Sequence, residues 1–217
     1  MRNTTEKSIE VNVLRRLVNW LEIRLNEKIT VLSPTQQLEF DVGYDDFLQG
    51  LPDGMIIALQ FKRPEENGDM VDFTLNVPQM TKMDELFPTN CAFYVFSPFP
   101  THLELISNYD NLLDDSMAID VHDISNIVVT NSATSTVRFH PNNSRQISDN
   151  GQFHDLDRLF PVSDFCPRLK SKNVGKNSKE VLSKVKNYIM KLEDKNNKGL
   201  EIYFLHIPNS NNVNKVR

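Results

Sequence analysis

The sequence predicts an α/β fold built around one central sheet, with an α+β arrangement left open. Three observations carry this prediction. The 217 residues are 39% hydrophobic and 24% charged, which is enough apolar material for a core. Helical and strand periodicities alternate along the chain. One short run in the first half is apolar throughout, as is typical of a central strand covered on both faces.

The first element is an amphipathic helix predicted from about Thr5 to Asn26. Its apolar residues form one stripe when successive positions are placed 100° apart. The stripe consists of Ile9, Val13, Leu14, Leu17, Trp20 and Leu21. Asn3, followed three residues later by Glu6, predicts a capping box at the start of this helix.

Two β-rich runs separated by a turn predict an antiparallel hairpin. The first run begins after Ser33-Pro34 and alternates apolar and acidic residues over Leu38–Val42. Leu51–Gly54 reads Leu-Pro-Asp-Gly, a strong turn signal. The second run is Met55–Lys62, which Pro64 stops.

Shorter elements follow the hairpin. The pattern predicts a polar loop over Glu65–Asp69, a helix near Pro78–Phe87 and the apolar strand Cys91–Ser97. Three more strands are expected at Met117–Val121, Asn126–Thr130 and Ser135–His140. A last amphipathic helix should begin at Ser178, and Leu200–Ile207 should form a final strand.

These elements suggest one domain with a decorated C-terminal part. Residues 1–140 are expected to form the core, and 141–179, rich in Asn, Ser, Asp, Lys and Pro, an irregular surface excursion. Residues 180–207 should pack a helix and a strand on the same domain, and 208–217 should be a flexible tail.

Composition excludes several classes of protein. No apolar run approaches the roughly 18 residues that a membrane helix needs, and the polar start MRNTTEKSIE has no signal-peptide stretch. Cys91 and Cys166 have neither the number nor the spacing of a disulfide framework or a zinc site. We therefore expect two reduced core thiols, a cytoplasmic location and no membrane partner.

The net charge of −5 hides an asymmetry. From Arg168 to Arg217 there are twelve Lys and Arg against four acids, or +8, whereas residues 1–167 sum to −13. A basic segment can contact nucleic acid, and Lys184, Lys186 and Lys191 are the candidates. The alternative is a solvated, lysine-rich helix face.

Candidate catalytic residues lie on the predicted hairpin. Side chains two apart on a strand share a face, so Gln60 and Lys62 project together while the alternate apolar residues enter the core. Asp45 lies 15 positions before Gln60, across the hairpin. A carboxylate and an amide oxygen on adjacent strands can bind Mg²⁺. A neighbouring lysine can steady an attacking water or the charge that develops on a phosphate.

The pattern Gly43-Tyr44-Asp45, a hairpin, and Leu59-Gln60-Phe61-Lys62-Arg63 resembles the PD-(D/E)XK nuclease superfamily over about residues 5–100. It is most similar to the Mrr-like restriction endonucleases, in which the acid of the last motif is often Gln. The resemblance implies a restriction-endonuclease-like αβββαβ core, with a central mixed sheet flanked by helices. It also implies hydrolysis of DNA phosphodiester bonds with Mg²⁺ or Mn²⁺, with restriction or phage defence as the setting.

The same resemblance assigns roles to individual residues. Asp45 and Gln60 would be metal ligands, Lys62 the catalytic lysine, and a glutamate of the first helix a further catalytic ligand. Both Glu6 and Glu10 fall inside the apolar stripe, which is unusual for glutamate. We prefer Glu10, because the capping box and the helix dipole already account for Glu6.

Other readings stay open. Asp45 and Asp46 could be simple turn polarity, and Lys62 a lysine that guards an edge strand. Gln60 removes one negative charge relative to glutamate, so the chain could instead be a degenerate nuclease fold that binds nucleic acid or protein. Gln79, on the helix after the hairpin, is either exposed or turned toward the site. DNA is the expected partner, and a homodimer is left open.

Overall fold

The structure is a computed structural model that describes residues 3–34, 43–128 and 132–196. The described part has seven helices and two sheets, one of them mixed, so the predicted mixed α/β class is confirmed. Among these helices, none combines the length and the apolar character needed to cross a membrane.

The elements are numbered in chain order. The helices are α1 (Glu6–Leu25), α2 (Val77–Leu86), α3 (His102–Ser107), α4 (Leu112–Asp115), α5 (Val121–Ser125), α6 (Phe165–Lys170) and α7 (Ser178–Asn196). The first six strands are β1 (Thr30–Leu32), β2 (Asp46–Gln49), β3 (Met55–Lys62), β4 (Pro64–Asn67), β5 (Met70–Asn76) and β6 (Ala92–Phe96). The others are β7 (Met117–Asp120), β8 (Thr134–Phe139), β9 (Arg145–Asp149), β10 (Gln152–Asp155), β11 (Phe160–Pro161) and β12 (Lys176–Asn177).

The main sheet has the order β1-β2-β3-β6-β7-β11, with β12 beside the start of β3. β1, β2 and β3 form an antiparallel meander. β3 and β6 are parallel, and α2 lies in the connection between them. Every residue of β3 and of β6 is buried, as expected of central strands.

Helices cover both faces of the main sheet. The stripe predicted for α1 is its buried face, and it packs with α4 and α6 on one side. Apolar residues of α2, α5 and α7 pack on the other side. Each fully buried aliphatic or aromatic side chain contributes about 1.5–3 kcal/mol, so these two layers hold the sheet in place.

The cap of α1 differs from the prediction. Thr5, not Asn3, is the N-cap, and its side chain accepts a hydrogen bond from the backbone N–H of Ser8. The Ser8 hydroxyl lies 2.9 Å from the Thr5 backbone N and completes the capping box. Asn3 forms an isolated bridge with Thr101 instead. Glu6 is therefore not used as the capping-box residue, and its side chain is available to the site described below.

The predicted polar loop Glu65–Asp69 is also wrong. β4 and β5 form a hairpin there, which turns at Gly68. This hairpin belongs to a second, antiparallel sheet with the order β10-β9-β8-β5-β4. Its inner side is apolar, through Phe73, Leu75, Val137, Phe139 and Ile147. β4 has too few apolar residues to show a strand period, whereas β5 alternates apolar and polar residues and β8 corresponds to the predicted strand Ser135–His140.

Residues 141–179 are not an irregular excursion. They contain β9, β10, β11, α6 and β12, and both β11 and β12 join the main sheet. Phe160, Phe165 and Leu169 are buried in the same core as α1. The apolar residues of this segment are too widely spaced among polar ones to show a helical or strand period.

Some predicted strands cannot be compared in full. Residues 126–128 turn away after α5 rather than forming a strand, and 129–130 lie outside the described residues. The first hairpin strand, Leu38–Val42, also lies outside them, and the strand that pairs with β3 is β2. Leu200–Ile207 and the tail 208–217 lie outside as well.

Candidate functional site

Asp45 and Gln60 are brought together by the register of β2 and β3. Asp46 lies opposite Leu59, and the backbone N–H of Asp45 donates to the Leu59 carbonyl at 2.9 Å. The ladder therefore places Asp45 beside Gln60 on the same face of the sheet. The pairing that the D-x14-Q spacing predicts is present.

Gly43 lets the chain reach this position. It has φ +84°, which favours glycine, and a Cβ there would lie 2.7 Å from Cγ of Met83 and 2.9 Å from the backbone oxygen of Gln79. A side chain would therefore collide with α2. The glycine holds the Asp45 segment directly against the helix that carries Gln79.

Asp45 is a buried carboxylate with side-chain and backbone partners. Its Oδ2 accepts from the backbone N–H of Phe61 at 2.7 Å, and Gln60 Nε2 lies 3.0 Å from each carboxylate oxygen. A carboxylate only accepts hydrogen bonds, so the NH₂ end of the Gln60 amide must face it. The oxygen of that amide then accepts from Gln79 Nε2 at 3.1 Å. Gln79 is thus turned toward the site.

Lys62 pairs with Glu6, not with Glu10. The distance from Lys62 Nζ to Glu6 Oε1 is 3.0 Å, and the Lys62 side chain is 9% exposed against 44% for Glu6. The same Glu6 oxygen lies 3.4 Å from Gln60 Nε2. Glu10 is buried one turn further along α1 and accepts from Lys7. The structure thus brings Glu6, in the N-terminal turn of α1, to Lys62, whereas the sequence favoured Glu10.

The alternative in which Lys62 guards an edge strand does not agree with the order of strands. β3 lies between β2 and β6, and Lys62 pairs with Phe96 of β6. The lysine is therefore buried in the middle of the sheet, where it cannot guard an edge. Asp46 is fully buried and accepts from the Ser33 hydroxyl.

Tyr94 is a neighbour of this cluster and lies within the predicted apolar strand Cys91–Ser97. It lies opposite Gln60 in the parallel ladder with β6 and is fully buried. Burial raises the pKa of the Tyr94 hydroxyl, and the charges of Asp45 and Glu6 raise that pKa further. The hydroxyl within an otherwise apolar strand is the signal that could have distinguished Tyr94 from its phenylalanine neighbours.

The cluster opens into a cavity of about 380 Å³. The cavity is lined by Thr5, Glu6, Lys62, Arg63, Glu65 and Thr74. Arg63 is half-exposed, and its guanidinium lies 3.0 Å from Glu65. Of the cluster, Glu6 and Lys62 therefore line a solvent-open space, and Arg63 places a cation at its rim.

The donor set of the cluster is made of oxygens. Within residues 3–34, 43–128 and 132–196, no group of three or more His, Cys, Asp and Glu side chains could hold a metal ion. The cluster instead combines two carboxylates, Glu6 and Asp45, with the Gln60 amide. Oxygen ligands of this kind suit Mg²⁺, which retains several waters.

The lysines of α7 are not among the residues that converge on Asp45. Lys184 and Lys186 are exposed, whereas Val181 and Val185 of the same helix are buried in the core. The Lys191 side chain lies outside the part of the chain that the structure describes.

Comparisons with protein-family models, with curated proteins and with solved structures found no match for this chain. The chemistry of the Asp45 cluster is therefore the basis on which a function is inferred.

Proposed function

We propose that the protein is a Mg²⁺-dependent endonuclease of the PD-(D/E)XK type that hydrolyses DNA phosphodiester bonds. The observation that carries the proposal is the convergence of Asp45, Gln60, Lys62 and Glu6 in one buried cluster beside an open cavity. A buried lysine and two carboxylates in a cleft are a costly arrangement for packing alone.

The order of elements supports the same proposal. α1, the meander β1-β2-β3, α2 and the parallel strand β6 follow the αβββαβ order of the superfamily. The β4–β5 hairpin is inserted between β3 and α2. In this proposal Asp45, Gln60 and Lys62 would correspond to the Asp and (E/Q)xK motifs of the superfamily.

The residues present fit a divalent cation after one rearrangement. Gln60 now turns its NH₂ end to Asp45, so its amide must rotate by half a turn to offer oxygen. Gln79 carries both a donor and an acceptor, and it can rotate with Gln60 and keep their hydrogen bond. Asp45, Glu6 and the Gln60 oxygen would then hold the cation with its remaining waters.

The mechanism assigns a task to each side chain. A bound Mg²⁺ would supply Lewis-acid polarisation of the phosphate and a more acidic water. The Phe61 N–H fixes the Asp45 carboxylate. The Lys62 ammonium, buried beside the cavity, stabilises the negative charge that develops on the phosphate in the transition state. Arg63, at the rim, is placed to contact a neighbouring phosphate of the strand.

A second candidate function is a degenerate nuclease fold that binds nucleic acid or a protein. It is favoured by the mutual pairing of the cluster: Gln60 donates to Asp45, and Lys62 donates to Glu6. These groups satisfy one another without a cation. Glutamine in place of an acid also lowers the negative charge that would attract one.

A cleavage assay separates the two candidates. The purified protein is incubated with Mg²⁺ or Mn²⁺ and duplex DNA, single-stranded DNA or RNA, beside Lys62→Ala. The matched control is Lys172→Ala, since Lys172 also pairs with an acid, Asp53, at 2.7 Å. That pair is exposed and lies beyond the other end of β3, more than about 20 Å away.

We expect metal-dependent cleavage of DNA that Lys62→Ala slows about 10²–10³-fold and Lys172→Ala leaves unchanged. If Lys62→Ala cleaves as fast as the parent protein, the nuclease proposal loses its catalytic residue. If no substrate is cleaved while DNA is bound, the degenerate-fold candidate takes its place.

A further inference from the structure

The Tyr94 hydroxyl is a buried polar group with no hydrogen-bond partner among the residues that the structure describes. The side chain is 0% exposed. Leaving a buried hydroxyl unpaired is unfavourable, and native proteins seldom do so without a ligand, a water or a functional reason. Phenylalanine, which occupies positions 93 and 96 of the same strand, would pack in the core equally well without a hydroxyl.

The unpaired hydroxyl belongs to the neighbourhood of the candidate site. Tyr94 pairs with Gln60 in the parallel ladder, so their side chains lie next to each other on the same face of the sheet. Tyr94 and Ala58 both belong to the core cluster on the α2 side. The charges of Asp45 and Glu6 both act on the tyrosine. A second hydrogen-bonding group thus stands beside Gln60.

We infer that Tyr94 is a further binding residue of this site, whose hydroxyl donates a hydrogen bond to a water carried by the divalent cation. This inference rests on the proposed function. A water is the ligand of choice because the hydroxyl is completely buried and water is the smallest group that can accept its hydrogen bond. Mg²⁺ retains several waters, and a buried water needs two to four polar partners. Tyr94, Asp45 and Gln60 supply such partners.

The test is Tyr94→Phe, which removes the hydroxyl and keeps the ring. The matched control is Ser116→Ala, because the Ser116 hydroxyl is also buried without a partner but lies before β7, two strands away from β3. Asp45→Asn defines which Mn²⁺ binding belongs to the site. Each full-length protein is titrated with Mn²⁺ alone by calorimetry, and its thermal unfolding is recorded without metal.

We expect Tyr94→Phe to bind Mn²⁺ about 3–10-fold more weakly and to unfold about 2–6 °C higher without metal, because the unpaired hydroxyl is gone. Ser116→Ala should keep the parent affinity for Mn²⁺. The opposite signs of the two Tyr94→Phe effects separate binding from a structural role, since a structural hydrogen bond would lower stability.

Three outcomes would overturn the inference. If Mn²⁺ binding depends on Asp45 but is equal in Tyr94→Phe and the parent, the Tyr94 assignment is wrong and the proposed function stands. If Tyr94→Phe unfolds at a clearly lower temperature, the hydroxyl has a partner within the protein. If no Mn²⁺ binding depends on Asp45, the metal site and the Tyr94 assignment fail together.

Discussion

Two buried aspartates of the main sheet, Asp45 and Asp120, differ in what holds them. Both are less than a tenth exposed. Asp120, at the end of β7, accepts from the backbone N–H groups of His122 at 2.8 Å and Asn90 at 2.5 Å. Asp45 accepts from the backbone of Phe61, but its second partner is the side chain of Gln60. They are three strand spacings apart, about 14 Å.

The difference separates a structural carboxylate from a candidate ligand. Both partners of Asp120 are backbone groups, which cannot leave without moving α5 and the segment before β6. The amide of Gln60 can rotate about its own side-chain bonds and release Asp45 while the fold stays intact. A buried acid with a movable partner beside a cavity can accept a cation, whereas an acid fixed by backbone N–H groups serves as a cap.

The largest expected effect concerns Asp120 and pH. Burial raises the pKa of Asp120 to about 6, against 3.8 for an ordinary aspartate. The folded state therefore binds a proton that the unfolded state has lost between about pH 4 and pH 6. Across that window, the free energy of unfolding from this group should fall by about 3 kcal/mol as the pH rises, and stay level above it.

The measurement is urea unfolding from pH 4 to pH 8, with Asp120→Asn as the comparison. Only the difference in pH dependence between the two proteins is used, because the asparagine also points its NH₂ group at a backbone donor. The asparagine protein should lack this part of the decrease. Equal pH profiles would mean that folding does not raise the pKa of Asp120. Asp120 could then no longer serve as the structural carboxylate in the comparison with Asp45.

The second effect is on metal affinity. Asp45→Asn should weaken Mn²⁺ binding at least about tenfold, and Gln60→Glu should strengthen it by adding a charge and removing the need for rotation. Asp120→Asn is the matched control and should bind as the parent does. Calorimetric titration of the four proteins decides the matter. Equal affinities throughout would mean that Asp45 and Gln60 do not share a cation.

The register of β2 and β3 decides how much of the candidate site could be predicted from the sequence. β3 matches its predicted bounds, Met55–Lys62, because an apolar run between a turn and a proline leaves little freedom. The period of two then places Gln60 and Lys62 on one face, and the hairpin brings Asp45 beside them. The local rules of strands are therefore enough for Gln60 and Lys62, whereas Asp45 also depends on β2 (Asp46–Gln49), which the sequence did not predict as a strand.

The role of Glu6 and much of the second sheet could not be predicted without knowing how the elements pack together. Glu6 and Glu10 share one face of α1, and the choice between them depends on how the N-terminus of that helix meets β3. The strands β8 and β9 bury only their inner residues, whereas every residue of β10 is exposed. The sequence predicts β8 as the strand Ser135–His140, whereas β9 and β10 each carry one apolar residue among polar ones and resemble loops.

The third prediction compares the lysines of the protein. Lys62 is buried and paired, whereas Lys184 and Lys186 are exposed on α7. If the basic helix tracks phosphates, replacing Lys184, Lys186 and Lys191 by Gln should flatten the plot of log K against log salt. The change is about 0.9 per lost duplex-DNA phosphate contact. The substitutions leave the buried Val181 and Val185 intact, so folding should be kept.

DNA affinity measured at several salt concentrations tests this prediction, with Lys62→Ala beside the triple variant. The buried lysine should change the slope little, since it acts on charge that develops during the reaction. An unchanged slope in the triple variant would remove α7 from the binding surface and leave its lysines as a solvated helix face.

The smallest effect concerns the helix that Asp120 caps. His122 of α5 lies with Nδ1 2.9 Å from Oδ1 of Asp84 on α2, and this hydrogen bond raises the pKa of His122 above its ordinary 6.5. The stabilisation is complete below pH 6.5 and is lost as the pH rises through the raised pKa. Because His122 is 45% exposed, the pair should contribute less than about 1 kcal/mol.

His122→Gln should abolish this loss of stability near neutral pH in urea unfolding, while the decrease assigned to Asp120 at lower pH stays. If the loss near neutral pH is the same in His122→Gln and the parent protein, the pair of His122 and Asp84 does not cause it.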